Sequence, residues 1–334
     1  MPPIRTQPTR IAPTHPTIER LESLLSDRFG RHVILTSSGR AGIVLALTAL
    51  GLSRYKSVVA IPRMISSCVV EAVSKRAFPV AIGSGTQCDL TVQYHQYGLP
   101  QQAERPGAVI EDLCHSLIGA WRNPTSISSI AVFSFPKFFA TNGMCGGLLI
   151  ENPSLAVHLR ELLSRAPELA EDTRDHLAKI FRASVMDCDA ANPAEIESAC
   201  AALTHAAAPR SADLIGCPET KIDWEKAIEH RQRVVDRLLR LVPDDFRPKD
   251  WSRLIRENLP FAFPIFWDDE AALARLASSL AIAGVDAGVY SIDANRNWAA
   301  PLFRRAILIP CHGDVDSRAD DVLRKFPDTL GCDP

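Results

Sequence analysis

Short β-branched and apolar runs alternate with apolar helical segments over the first 150 residues, and this alternation constrains the fold more than any other feature. HVILT (32–36), SVVAI (57–61), FPVAI (78–82), GAVIED (107–112), SIAVFSF (129–135) and GGLLIEN (146–152) read as strands. AGIVLALTALGL (41–52) and SSCVVEAVSK (66–75) read as helices, the first too apolar to lie on a surface. Continuous apolar strands imply burial on both faces, which helices on either side of a parallel sheet provide. The pattern predicts a three-layer α/β domain with a mostly parallel sheet.

Beyond residue 152 the pattern changes. Residues 153–183 read as mainly helical, 184–220 mix an alanine-rich helix with turns, and an amphipathic helix runs from about Trp224 to Leu241. Strands at 259–267, 287–291 and 306–310, with helices at 269–284 and near 316–326, predict a smaller α+β domain. At roughly 100–200 residues per domain, the organisation expected is a Pro-rich arm over 1–16, a large domain over 17–220 and a small one over 221–334.

Composition excludes several function classes. Of 334 residues, 46% are hydrophobic and 23% charged, which rules out a mainly disordered chain. Lys and Arg number 37 against 39 Asp and Glu, so charge gives no sign of a nucleic-acid partner. No apolar run approaches the roughly 18 residues of a membrane span, and the first residues lack a secretory signal's apolar stretch. Nine scattered cysteines show neither CxxC nor zinc spacing. An odd number of them reads as reduced thiols in a cytoplasmic protein. The histidines lack HExxH spacing, and no metal site is expected.

Four segments carry candidate chemistry or shape a site. In TSSGRAG (36–42) a strand turns into a helix, so the hydroxyls of Ser37 and Ser38 and the N–H of Gly39 form either an anion site or an ordinary cap. VIEDLCHS (109–116) ends a strand in a carboxylate pair. There Asp112 either holds a protonated heterocyclic nitrogen or caps a helix, and His115 either joins it or is a satisfied core residue. In AVFSFPKFFATNGMCGG (131–147), Lys137 sits among Phe133, Phe135, Phe138 and Phe139. Desolvation there would favour a neutral, nucleophilic amine, unless the stem only snorkels to water. HQYGLP (95–100) lines a pocket mouth or forms a plain turn with an aromatic anchor.

Taken in order, these segments resemble the DegT/DnrJ/EryC1/StrS family, the sugar-aminotransferase-like branch of fold-type I pyridoxal-phosphate enzymes. SSGRAGIVLAL stands for that family's SSGTAALHLAL, and IPRMISSCVVEAV (61–73) for its proline-led segment. Tyr97-Gly98-Leu99-Pro100 matches its YG-x-P, VIEDLCH its VIEDAA[QH], and FSFPKFFATNGMCGG its FSF-x-x-x-K…GEGG. The likeness spans about residues 17–326.

The resemblance implies pyridoxal 5'-phosphate as cofactor. It makes Lys137 the lysine that carries it as an imine, Asp112 the partner of its pyridine nitrogen, and His115 a residue that positions its ring. Ser37, Ser38, Gly39, Arg40 and Ser134 become the phosphate contacts. It further implies transfer of an amino group from glutamate or glutamine to a keto-sugar or similar small carbonyl substrate, by a homodimer with its active site at the interface. Other pyridoxal-phosphate chemistry on the same scaffold, or ligand binding without turnover, are the alternatives. Several positions depart from the family pattern. Arg40 replaces a threonine, Met144-Cys145 stand where GE or PD usually precedes GG, and Lys137 lies two residues nearer the FSF strand. Ser66 falls where an aromatic ring usually covers the cofactor, so Met64 or Tyr97 is expected to take over that face, or a roomier pocket results.

Overall fold

The computed structural model describes residues 16–101, 109–124, 127–141, 144–186, 193–205, 208–214, 216–218, 221–312 and 318–329. The proline-rich arm therefore lies outside the described residues, apart from Pro16.

Helix α1 (Ile18–Phe29) starts where the Thr17 hydroxyl accepts the Arg20 N–H at 3.2 Å, and stops at Gly30, whose φ of 61° is left-handed. Strand β1 (His32–Thr36) follows and leads into α2 (Gly39–Ala49), capped by Ser38. Alternation continues through β2 (Val58–Ile61), α3 (Ser67–Ser74), β3 (Phe78–Ala81), β4 (Leu90–Tyr94), β5 (Val109–Asp112), α4 (Leu117–Arg122), β6 (Ile130–Ser134) and β7 (Gly146–Ile150). These strands form one seven-stranded sheet in the order β1-β7-β6-β5-β4-β2-β3. Only β7 runs against its neighbours; the other pairings are parallel. The mostly parallel sheet expected from the apolar runs is thus present.

One face of the sheet packs on α2, α3 and α5 (Pro153–Ser164) around Ile34, Ile43, Leu47, Val92, Ile110 and Val132. The other supports a larger core with α1, α4, α8 (Lys221–Leu241) and α9 (Trp251–Asn258). Its centre is aromatic: Trp121 and Trp224 stack with ring centroids 3.9 Å apart, and Phe135 and Phe139 meet Trp224 edge-on. The last strands, β8 (Ala262–Phe266), β9 (Val289–Asp293) and β10 (Phe303–Pro310), make an antiparallel sheet in the order β8-β10-β9, backed by α10 (Glu270–Ile282) and α11 (Arg318–Thr329). Helix α6 (Glu171–Met186) falls in the stretch read as mainly helical, and α7 (Pro193–His205) in the alanine-rich one.

Three elements went unread in the sequence: β4, α4 and α9. Among the described residues, no helix is long and apolar enough to cross a membrane.

Candidate active site

Parallel strands direct their C-terminal ends to one edge of the sheet, and at that edge the turns leave room for side chains from several strands. Here β1, β4, β5 and β6 end in Thr36, Tyr94, Asp112 and Ser134. The candidate residues converge there.

The β1–α2 turn comes first. Ser38 adopts an extended backbone and its hydroxyl accepts the Ala41 N–H at 3.2 Å, so the ordinary capping role is real. Capping is only part of its bonding, because the Ser37 and Ser38 hydroxyls also donate to the Leu203 carbonyl at 3.4 and 3.2 Å. Leu203 lies in the last turn of α7, where carbonyls lack intrahelical partners and carry partial negative charge. A helix C-terminus therefore meets the donor-rich N-terminus of α2, where an anion would be equally well received. Ser134 lies beside Gly39, since a Cβ built on that glycine would come 3.6 Å from the Ser134 Cβ. Glycine is required at 146, where any Cβ would collide with the Gly39 N–H and the Phe133 carbonyl. Arg40 is half-buried in the first turn of α2.

At the end of β5, Asp112 is 1% exposed. Its Oδ1 accepts the Cys114 N–H at 2.9 Å, but its Oδ2 is buried without a hydrogen-bond partner. Burial pushes the Asp112 carboxyl above its ordinary value, against the pull of the Cys114 bond, His95 and Lys137. A buried carboxylate oxygen with nothing to accept calls for a donor, best a cationic N–H. A protonated pyridine nitrogen has that chemistry, so the residues present fit the cofactor that the resemblance implies.

Lys137 rides on the turn after β6. The Phe138 and Phe139 N–H groups both bond the Phe135 carbonyl, at 2.8 and 2.9 Å, closing one helical turn. Phe135 and Phe139 are pinned against Trp224 in the core, while the Lys137 amine lies 5.8 Å from the centre of the Phe261 ring. Of the apolar surroundings expected from its sequence neighbours, the ring that meets the amine belongs to Phe261 instead. Lys137 is half-buried, and its charge acts on both Asp112 and His115.

His115 is buried between two rings: Phe261 stacks on it at 4.9 Å and 8°, Tyr97 at 5.9 Å and 12°. Its Nδ1 lies 2.8 Å from the Tyr94 hydroxyl. Burial, reinforced by Lys137, holds the imidazole well below its ordinary proton affinity, so it is neutral near pH 7. Ser66 precedes α3 without capping it; its hydroxyl lies 3.4 Å from that of Tyr94. Met64 is half-buried in the same β2–α3 connection. Sequence reasoning brought together Ser37, Ser38, Gly39, Asp112, His115, Ser134 and Lys137, and missed Tyr94, Phe261 and Leu203. HQYGLP divides: Tyr97 stacks on His115, whereas His95 is buried and hydrogen-bonded to Glu111 at 2.6 Å.

The chain is similar to known proteins in part of its sequence and in its fold. A family model described as "Putative PLP-dependent aminotransferase" matches residues 26–170, the part of the chain that contributes every candidate site residue from Ser37 to Lys137. A search of curated protein sequences finds no match. Among solved structures, a DegT DnrJ EryC1 StrS aminotransferase from Brucella abortus superposes with a TM-score of 0.65 at 15% identity, covering 95% of this chain and 90% of that one. DesI, solved in the presence of its TDP-sugar product, gives 0.66 at 18%, covering 98% and 92%. The ntda protein of Bacillus subtilis, with bound cofactor PMP, gives 0.58 at 16%, covering 95% and 77%. The chain has the fold-type I architecture of these proteins: a mostly parallel α/β domain followed by a smaller antiparallel sheet.

Proposed function

We propose that the chain is a pyridoxal-phosphate-dependent aminotransferase acting on a sugar or related carbonyl substrate. The observation that carries this reading is the Asp112 Oδ2, buried and unpartnered at a strand end, with the Lys137 charge acting on both Asp112 and His115. Pyridoxal phosphate, when bound, supplies an electron sink that stabilises charge at the substrate Cα.

The remaining work falls to the chain's own residues. Asp112 would hold a cationic nitrogen, whose charge would offset the burial that raises its carboxyl above the ordinary value. Lys137 would hold the cofactor covalently, and its amine would take and return the proton at the substrate Cα. Ser37, Ser38, the Gly39 N–H and Ser134 receive the phosphate at the N-terminus of α2, where the helix dipole favours negative charge. Arg40 adds a fixed positive charge that pairs with phosphate or with a substrate anion. Phe261 and Tyr97 wall the site with apolar surface, which strengthens each charge interaction inside it.

The amino donor in this reading is glutamate or glutamine, and the acceptor a keto-sugar, probed first as a nucleotide-linked one. A homodimer with the site at its interface rests on the resemblance. The function is tested by adding pyridoxal phosphate and following absorbance at about 400–430 nm, then adding each donor. A band that forms on loading and is discharged by glutamate or glutamine, with 2-oxo acid released in equal amount, supports the proposal. A protein that takes up no cofactor, or a loaded protein inert to both donors, counts against it.

A further inference from the structure

Tyr94 pairs in register with Asp112 across the β4–β5 ladder, so the two side chains leave the sheet on the same face. Nothing in the motif resemblance singles this residue out. Its ring is buried, and it meets His115 at a 60° tilt, so the short contact is made by the hydroxyl rather than by stacking. The hydroxyl has two neighbours, His115 Nδ1 at 2.8 Å and Ser66 Oγ at 3.4 Å.

The direction of these bonds follows from chemistry. A neutral imidazole has one N–H and one lone pair. Burial keeps both His115 neutral and the Tyr94 phenol protonated. A phenol O–H is a stronger donor than an imidazole N–H, and an imidazole lone pair is a stronger acceptor than a phenol oxygen. The short bond is therefore Tyr94 O–H donating to Nδ1, and Ser66 donates to the phenol oxygen in turn. That leaves the His115 proton on Nε2, which has no hydrogen-bond partner among the described residues. With Phe261 and Tyr97 on its faces, the ring is held in one orientation as well as one tautomer.

We propose that Tyr94, steadied by Ser66, is a positioning residue that fixes His115 as the Nε2–H tautomer and so presents a single N–H donor to an oxygen of the bound cofactor or substrate. Its benefit to the reaction rests on the function proposed above; the tautomer does not. The loss of an aromatic side chain at position 66 thereby gains a local reason, because a serine there reaches the Tyr94 hydroxyl.

The test uses full-length protein with ring-¹⁵N histidine and long-range ¹H–¹⁵N correlation, His115 being assigned by its absence in H115N. The parent is expected to show a protonated Nε2 and a pyridine-type Nδ1. In Tyr94→Phe, which removes one oxygen, a substantial Nδ1–H population is expected, with a smaller shift the same way in Ser66→Ala. Pyridoxal-phosphate affinity in Y94F is expected to fall about fivefold, as for one weakened hydrogen bond. A parent protonated on Nδ1, or a Y94F protein retaining the pure Nε2–H form, overturns the proposal. A tautomer shift in a protein that takes up no cofactor leaves the positioning role standing and removes the proposed function instead.

Discussion

Glu111 and Asp112 are neighbours at the end of β5, yet they point to opposite faces of the sheet and meet opposite fates. On the Glu111 face both carboxylate oxygens are answered. Its Oε1 takes the His95 Nε2–H at 2.6 Å, its Oε2 takes the Ser128 N–H at 2.6 Å, and His95 Nδ1 accepts the Gln101 N–H at 3.1 Å. Burial pushes the Glu111 carboxyl up, but the His95 and Ser128 bonds outweigh it and hold it below its ordinary value. On the Asp112 face one carboxylate oxygen is left over, and the carboxyl sits above its ordinary value. The closed face maintains the fold; the open one is where the proposed function places its ligand. Two carboxylates in one motif thus separate by what surrounds them.

The largest effect that sharpens this contrast is expected from Asp112→Asn. Asn keeps the Oδ1 that accepts the Cys114 N–H but removes the charge facing the cofactor. Loss of such a charge in a desolvated site slows proton transfer by about 10²-fold or more, read in the half-reaction with the amino donor. Stability should move the other way. A raised carboxyl stabilises the fold below its ordinary 3.8 and loses that contribution as pH rises through its folded value. At pH 7 the ionised group therefore costs stability, and cofactor-free D112N should melt higher than the parent. A parental half-reaction rate would show that the carboxylate opposite the cofactor lies elsewhere.

Glu111→Gln should do the reverse, costing about 1–3 kcal/mol of stability by denaturant titration while leaving cofactor affinity unchanged. A depressed carboxyl contributes above its ordinary 4.5 and loses that contribution as pH falls through its lower folded value, so the deficit of E111Q should shrink in acid. If E111Q instead loses the cofactor and keeps its stability, the two faces have been assigned backwards.

Smaller still is the effect expected of Ser38→Ala. It removes the cap of α2 and a donor to the Leu203 carbonyl, together worth about 1 kcal/mol. Because phosphate and the α7 carbonyl compete for the same hydroxyl, cofactor affinity should fall by no more than about tenfold. An unchanged melting point and affinity would mean that Ser38 contributes to neither.

The sequence disclosed more of the fold than of the site's walls. Strand ends, the Ser38 cap and the order of motifs depend on neighbours along the chain, and a single chain displays them. β4 escaped notice because it emerges from a polar connection, and with it went the distinction between Tyr94, facing the site, and His95, facing Glu111. A shift of one residue in a strand reverses the face. Phe261 and Leu203 were hidden for another reason. Leu203 meets Ser37 and Ser38 across 166 and 165 residues, and Phe261 reaches Lys137 from beside the small sheet. Contacts so distant leave no local pattern to read.

Central to the account is Lys137, half-buried beside Asp112 although it stands two residues from the usual family position. Borohydride reduction of the cofactor-loaded protein, followed by proteolysis and mass spectrometry of the peptides, locates the attachment directly. The expected result is a reduced pyridoxyl adduct on Lys137, absent from a Lys137→Ala protein with an unchanged circular-dichroism spectrum. An adduct on any other lysine, or no adduct on a protein that has taken up cofactor, contradicts it.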